Sequence, residues 1–166
     1  MVENETYPWS GVFGELNSDD QLSVARLVDE GGAIEGNMEE IIPRLKRTRK
    51  IALLRVKATD RIVGVAALKA SNQKYREDKF AAAGVPIAGY ETAPELGYVV
   101  VAEDMKGRRL SGGLVDAIAK EIREPAFATT DSNTIGNNLQ RSGFTRVGQE
   151  WQGQKGALSL WTITPR

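Results

Sequence analysis

Between Glu95 and Leu114 the chain reads ELGYVVVAEDMKGRRLSGGL: an apolar run of strand length, a short loop rich in Gly, Lys and Arg, and the opening of an amphipathic helix. No other segment constrains the fold as strongly. A helix start presents unpaired backbone N–H groups and the positive end of the helix dipole, so a loop delivered there by a strand can hold phosphate or pyrophosphate. Lys106, Arg108 and Arg109 add full positive charge to that field, and Gly107, Gly112 and Gly113 let backbone come close to a ligand. A basic loop that merely caps a helix would read the same over this stretch alone, so the rest of the chain has to decide.

At 166 residues the chain is long enough for one well-buried core and short for two, so residues 1–166 are expected to form a single domain. Lys plus Arg equals Asp plus Glu at 22 each, which argues against a protein that coats nucleic acid generally. No apolar run approaches membrane-spanning length, and Met1 to Asp20 is polar and acidic where a secretory leader would be basic and then apolar. A cytoplasmic location is the expectation. Histidine and cysteine are both absent, which removes Ser-His-Asp and Cys-His nucleophilic machinery and His or Cys metal sites. Any enzyme built here relies on carboxylates, Tyr, Lys, hydroxyls, backbone dipoles and water.

Ser18-Asp19-Asp20-Gln21 has capping-box spacing, and Leu22, Ala25 and Val28 follow at helical intervals until Gly31-Gly32. Asn37-Met38-Glu39-Glu40 repeats the signature for a second helix to about Arg49, in which Pro43 either kinks the helix or begins its regular part. Lys50 to Ala58 and Arg61 to Ala70 read as two strands of a hairpin around Thr59-Asp60. Ser71 to Pro94 then leaves the pattern as an excursion, with a polar and helix-compatible piece from Lys74 to Ala83. Long connections of this kind are often functional. After the strand Glu95 to Ala102, Leu110, Leu114, Ile118 and Ile122 line one helix face. A short strand Ala126 to Thr130, a helix capped by Ser132 or Asn133, and a hairpin of Thr145 to Gln152 with Leu158 to Thr164 complete the chain.

This order of elements, the strand ELGYVVV, the loop KGRRLSGGL and the later NNLQRSGFTRVG resemble the GCN5-related N-acetyltransferase (GNAT) superfamily from Gln21 to the end. The resemblance implies an α/β (α+β) fold with a central mixed, mostly antiparallel sheet of about six or seven strands flanked by about four helices. It implies acetyl-CoA as cosubstrate, with no metal. The family's loop usually reads Q/R-x-x-G-x-G/A, and its backbone amides bind the CoA pyrophosphate. In register, Lys106 takes the first position, Arg109 the usual Gly and Ser111 the final Gly/Ala. Arg109 therefore has to turn its guanidinium outward, toward a CoA phosphate or toward solvent, while Ser111 is small enough to keep backbone approach open. The cofactor-binding set implied is Val99, Val100, Val101, Lys106, Gly107, Arg108, Arg109, Leu110, Ser111, Gly112 and Gly113, with Asn133 and Asn138 offering an amide to pantetheine or, for Asn133, capping a helix.

Acetyl transfer needs a neutral amine, a polarised carbonyl and a stabilised leaving thiolate. By the resemblance, Glu95 is the general base, acting directly or through water, against the alternative of an exposed strand-end charge. Tyr98 either faces the site as a proton donor or packs in the core. Many relatives carry a Tyr four residues before the Gly of their Gly-Phe turn, as the acid that reprotonates the thiolate; here that place is Leu139.

The implied function is acetyl transfer to a primary amine of a small molecule or peptide, directly within a ternary complex, with neither a membrane nor nucleic acid as partner and a homodimer compatible with it. The alternative is a catalytically inactive acyl-CoA-binding regulatory or interaction module. A third reading, a nucleic-acid-directed acetyltransferase, rests only on Arg44, Lys46, Arg47, Arg49 and Lys50, a run that a solvated helix face also explains. Within the excursion, Tyr75 and Phe80 offer apolar contact to an acceptor, and Glu77, Asp78 and Glu91 offer negative charge to a cationic amine; the alternative is an inert surface insertion with its aromatics tucked onto the core.

Overall fold

A computed structural model describes residues 5–32 and 37–165. Seven strands, β1 (Thr6–Gly11), β2 (Lys50–Val56), β3 (Ile62–Lys69), β4 (Glu95–Val101), β5 (Ala126–Thr130), β6 (Thr145–Gln152) and β7 (Ala157–Ile163), form one open sheet in the order β1-β2-β3-β4-β5-β7-β6. Every neighbouring pair is antiparallel except β4–β5. The helices are α1 (Ser18–Glu30), α2 (Met38–Lys46), α3 (Gln73–Ala83), α4 (Leu110–Ala119) and α5 (Asn133–Arg141). The expected class and strand number hold. Five helices are described rather than about four, because the excursion carries α3.

β1 escapes a reading of the sequence because TYPWSG alternates weakly and contains Pro8, which lacks a ladder donor. An edge strand tolerates that loss, and β1 lies at the sheet edge, paired only with β2. α1 is capped one residue earlier than its capping-box pattern suggests, since the Asn17 side chain accepts from Asp20 N–H at 2.8 Å. Asn37 caps α2 as expected, accepting from Glu40 N–H at 3.2 Å, and the helix is already under way before Pro43.

The middle of the sheet is buried on both faces. On one face Val100 meets Gly31 at the end of α1, where an added Cβ would sit 2.6 Å from the valine. On the other, Gly64 of β3 lies under Leu114 of α4 with an added Cβ 2.8 Å from Cδ1, so the missing side chain lets α4 settle onto the sheet. α4 is thereby pinned beside β4.

The excursion is packed, not loose. Phe80, expected at an acceptor, is buried against Phe127 and Tyr90 with ring centroids 5.5 Å apart in each pair. With Ala83, Ala93 and Leu160 it forms a second core that covers β5–β7. Buried Arg76 donates to the Ser71 carbonyl at 2.9 Å and to the Glu91 carbonyl, tying both ends of the segment together. Its acids turn elsewhere: Asp78 pairs with Lys74 at 3.0 Å, Glu77 accepts from Gln73 at 2.8 Å and Glu91 accepts from Gly89 N–H at 2.7 Å.

Candidate functional site

β4 carries the feature that organises the site. Opposite β3, Val100 pairs with Val65 but Gly97 pairs with Ala67, so two β4 residues, Tyr98 and Val99, face one on β3. This is a β-bulge, and Tyr98 sits in it at φ 53°, a left-handed conformation that costs a non-glycine residue roughly 1–2 kcal/mol. On its other edge β4 meets β5 through a single pair, Glu95 with Phe127. Past that point the two parallel strands separate, leaving the β4 edge from the bulge onward without a strand partner among the described residues. Strain concentrated where backbone is opened for another use is a common mark of a functional site.

A cleft of about 530 Å³ lies beside this opened edge, lined by Val99, Val101, Met105, Leu110 and Ile135 together with Lys106, Gly107, Arg109 and Ser111. Two left-handed residues, Gly107 at φ 82° and Arg109 at φ 59°, turn the loop into α4. Arg109 is the N-cap and offers no side-chain acceptor to the helix, so the first N–H groups of α4 keep their capacity for an anion. The φ at Arg109 is one a glycine adopts without strain. Lys106 lines the cleft while pairing with Glu103 at 2.9 Å; among the described residues Arg108 and Arg109 form no ion pair.

Across the bulge is a second cavity of about 330 Å³, lined by Arg44, Arg47, Lys69, Tyr75, Glu95 and Tyr98, with Thr48, Ser71 and Asn72 completing its rim. Glu95 is 3% exposed, so it is not a strand-end charge in solvent. Lys69 Nζ stands 2.9 Å from Glu95 Oε1 as an ion pair, without hydrogen-bond direction. The Tyr75 hydroxyl donates to Oε2 at 3.0 Å, and Thr129 Oγ1 approaches the same oxygen at 3.4 Å. Burial first, then the charge of Glu95, push the Tyr75 hydroxyl well above its ordinary pKa, so it stays a protonated donor. Tyr98 is half-buried, at the cavity wall and against the core together, with Lys69 Nζ 4.5 Å from its ring centroid. A larger groove of about 710 Å³ lies between α1 and the β2–β3 turn, but its Arg55 is already matched to Asp20 at 2.7 Å and it touches no opened strand.

Of the residues singled out from sequence, Glu95 and Tyr98 reach the second cavity, while Val99, Val101, Lys106, Gly107, Arg109, Leu110 and Ser111 reach the cleft. Arg108 is exposed on the same loop. Val100 points its side chain to the opposite face, onto Gly31, so only its backbone is available to the cleft. Gly112 serves helix packing, since an added Cβ would lie 3.2 Å from Asn138 Oδ1, whereas nothing lies within 4 Å of one on Gly113. Asn138 is buried and donates to Ser111 Oγ at 3.0 Å, clipping α5 to α4 behind the loop. Asn133 faces a different groove with Gly136 and Trp161, and Ser132 is the cap of α5, accepting from Ile135 N–H at 3.2 Å. Leu139 is fully buried. Lys69 is the residue of this cavity that sequence reasoning did not single out; Tyr75, expected to offer apolar contact to an acceptor, instead donates its hydroxyl to Glu95, and Arg44 and Arg47 were weighed only as part of a basic helix face. The cationic run near Arg47 was the signal for those two.

No protein-family model and no curated protein matches the chain. Solved structures match it over nearly its whole length. They include a GNAT-family acetyltransferase from Streptococcus agalactiae, with TM-score 0.68 and 11% identity over 98% of this chain and 99% of that one. An acyl-CoA N-acyltransferase from Pseudomonas aeruginosa aligns at TM-score 0.65 and 10% identity over 96% and 100%. A chain of the NatC complex bound to Gag peptide and CoA aligns at 0.63 and 15% over 98% and 99%. The fold shared with these proteins is the GNAT fold.

Proposed function

We propose that this chain, whose fold is that of the GNAT acetyltransferases, is an acetyl-CoA-dependent N-acetyltransferase that moves the acyl group directly to a primary amine in a ternary complex. One observation carries the reading. The Tyr98 bulge opens β4 between a cleft that ends on an uncapped, cation-rimmed helix start and a cavity that holds a buried carboxylate.

The cleft suits the cosubstrate in its chemistry. N–H groups at the start of α4, with Arg108 and Arg109, match a pyrophosphate, and Val99, Val101, Leu110 and Ile135 match a pantetheine arm. Acetyl-CoA would supply the activated acyl group. The unpartnered β4 edge supplies fixed N–H dipoles that polarise a carbonyl at no reorganisation cost. Glu95 accepts the ammonium proton, directly or through a water, so that the amine attacks as a neutral nucleophile. Lys69 and Tyr75 hold that carboxylate in one orientation. Tyr98, the residue in the bulge, is the proton donor for the leaving thiolate.

A CoA-binding module without turnover is the second reading, favoured by Leu139, which is buried and apolar where many relatives place their acid. Release of free CoA thiol, followed over a panel of amines, separates the two. The enzyme releases thiol with some amine; the module binds CoA and releases none.

A further inference from the structure

Resting on that reading, we infer that the acceptor amine carries an anionic oxyacid group, a carboxylate or a phosphate, which Arg44 and Arg47 hold while the amine meets Glu95. The cavity that contains Glu95 presents three cations, Arg44, Arg47 and Lys69, against one carboxylate. Lys69 is spent on Glu95 at 2.9 Å. That leaves two guanidinium groups on the wall. Arg44 is in the last turn of α2 and Arg47 is its C-cap, one helical turn further, so their side chains share a face and can close on one anion from two sides. Among the described residues neither makes a salt bridge, even though Glu40 stands four residues before Arg44, the spacing at which a helix pair forms.

An arginine pair at a helix C-terminus also favours the helix dipole, but that explanation does not require both to line a cavity with a buried carboxylate. The acids expected to suit a cationic amine, Glu77, Asp78 and Glu91, are absent from the wall, whose contribution from the excursion is Ser71, Asn72 and Tyr75. At about 330 Å³ the cavity holds a small amine or the end of a chain rather than a folded macromolecule. A cavity lined by two arginines free of salt bridges among the described residues and by a buried carboxylate suits a molecule that carries both an anion and an ammonium.

The experiment compares charged and neutral partners of one shape: glycine and β-alanine against their amides, phosphoethanolamine against ethanolamine, and putrescine as a dication, each with acetyl-CoA and thiol detection. The anionic member of each pair should have the higher kcat/KM, by about 10- to 100-fold, the range for a charge-assisted hydrogen bond. Whether glycine and β-alanine or phosphoethanolamine leads identifies carboxylate or phosphate. Arg44→Gln with Arg47→Gln should collapse that ratio through KM, and Arg44→Lys with Arg47→Lys should restore part of it, because charge returns without the planar fork. The CoA-dependent rise in Tm, retained in both variants, shows that they fold. Equal use of both members, preference for putrescine, or an unchanged ratio in the double Gln variant overturns the inference. If no amine releases thiol, calorimetric titration of the same probes into the CoA-saturated protein decides. Binding of the anionic amines that disappears in the double Gln variant upholds the site while the catalytic reading fails; binding that is absent or indifferent to the variant sinks both.

Discussion

Arg109→Gly should stabilise the unliganded protein and weaken CoA binding, two effects of opposite sign from one side chain. Arg109 stands at φ 59° and ψ 31° as the N-cap of α4, with no side-chain hydrogen bond in return. A left-handed non-glycine residue costs roughly 1–2 kcal/mol, and glycine gives back about 0.4–1 kcal/mol through the freedom it adds to the unfolded chain. The net gain is about 0.5–1 kcal/mol, or about 1–4 °C in Tm for a chain of this size. Against it, a guanidinium on a phosphate is a charged hydrogen bond of about 1.5–3 kcal/mol, taken at the low end because the loop is exposed, which is roughly tenfold in Kd. Thermal unfolding without ligand measures the first effect and calorimetric titration of CoA the second. The affinity loss should shrink at high salt, and dephospho-CoA should bind variant and parent alike if the ribose phosphate is the partner. A lower Tm for the unliganded variant would show that the left-handed turn is not strained by its side chain. An unchanged Kd would leave the guanidinium in solvent.

Ser111→Asp keeps an acceptor for the Asn138 amide yet sets a carboxylate in the cleft, so the CoA-dependent shift in Tm should vanish while the unliganded protein melts as before; a retained shift removes the loop from the site. Glu95→Gln should lower kcat about 100-fold with little change in CoA affinity, and the deficit should narrow as pH rises and more amine arrives neutral; full activity at every pH would make Glu95 structural. Tyr75→Phe removes a hydroxyl that donates to Glu95 and so frees the carboxylate to turn, which should lower kcat with little change in CoA affinity; an unchanged kcat would make that hydrogen bond dispensable. The same substitution tests linkage. Because the native Tyr75 pKa is raised, its contribution to stability is complete below the ordinary value of 10.0 and is lost as pH climbs from there toward the native one, so the alkaline fall in stability should be shallower in the variant.

How far the sequence reached can be seen element by element. The strand Glu95–Val101, the helix after it, the β2–β3 hairpin and the Asn37 cap were legible because each is written in neighbouring residues: an apolar period, a turn residue, a side chain within reach of the next N–H. The charged loop before α4 was legible for the same reason. Tertiary structure decided the rest. Insertion of β7 between β5 and β6 depends on pairings across the sheet, and no local pattern encodes a neighbour. Burial of Glu95 depends on Lys69 and Tyr75, which approach it from β3 and α3, and a carboxylate at a strand start reads alike whether it faces water or a lysine. Phe80 reads equally as an acceptor contact or as core until Phe127 and Tyr90 are seen to close over it. The bulge at Tyr98 arises from one extra β4 residue against β3, a mismatch between two strands that neither strand contains alone. Arg44 and Arg47 look like the solvated face of any basic helix, and only the tertiary structure brings them to the cavity that Glu95 lines. Local sequence wrote the elements and their caps, whereas the chemistry lies where distant elements meet, because a side chain's charge, burial and partner are properties of the contact.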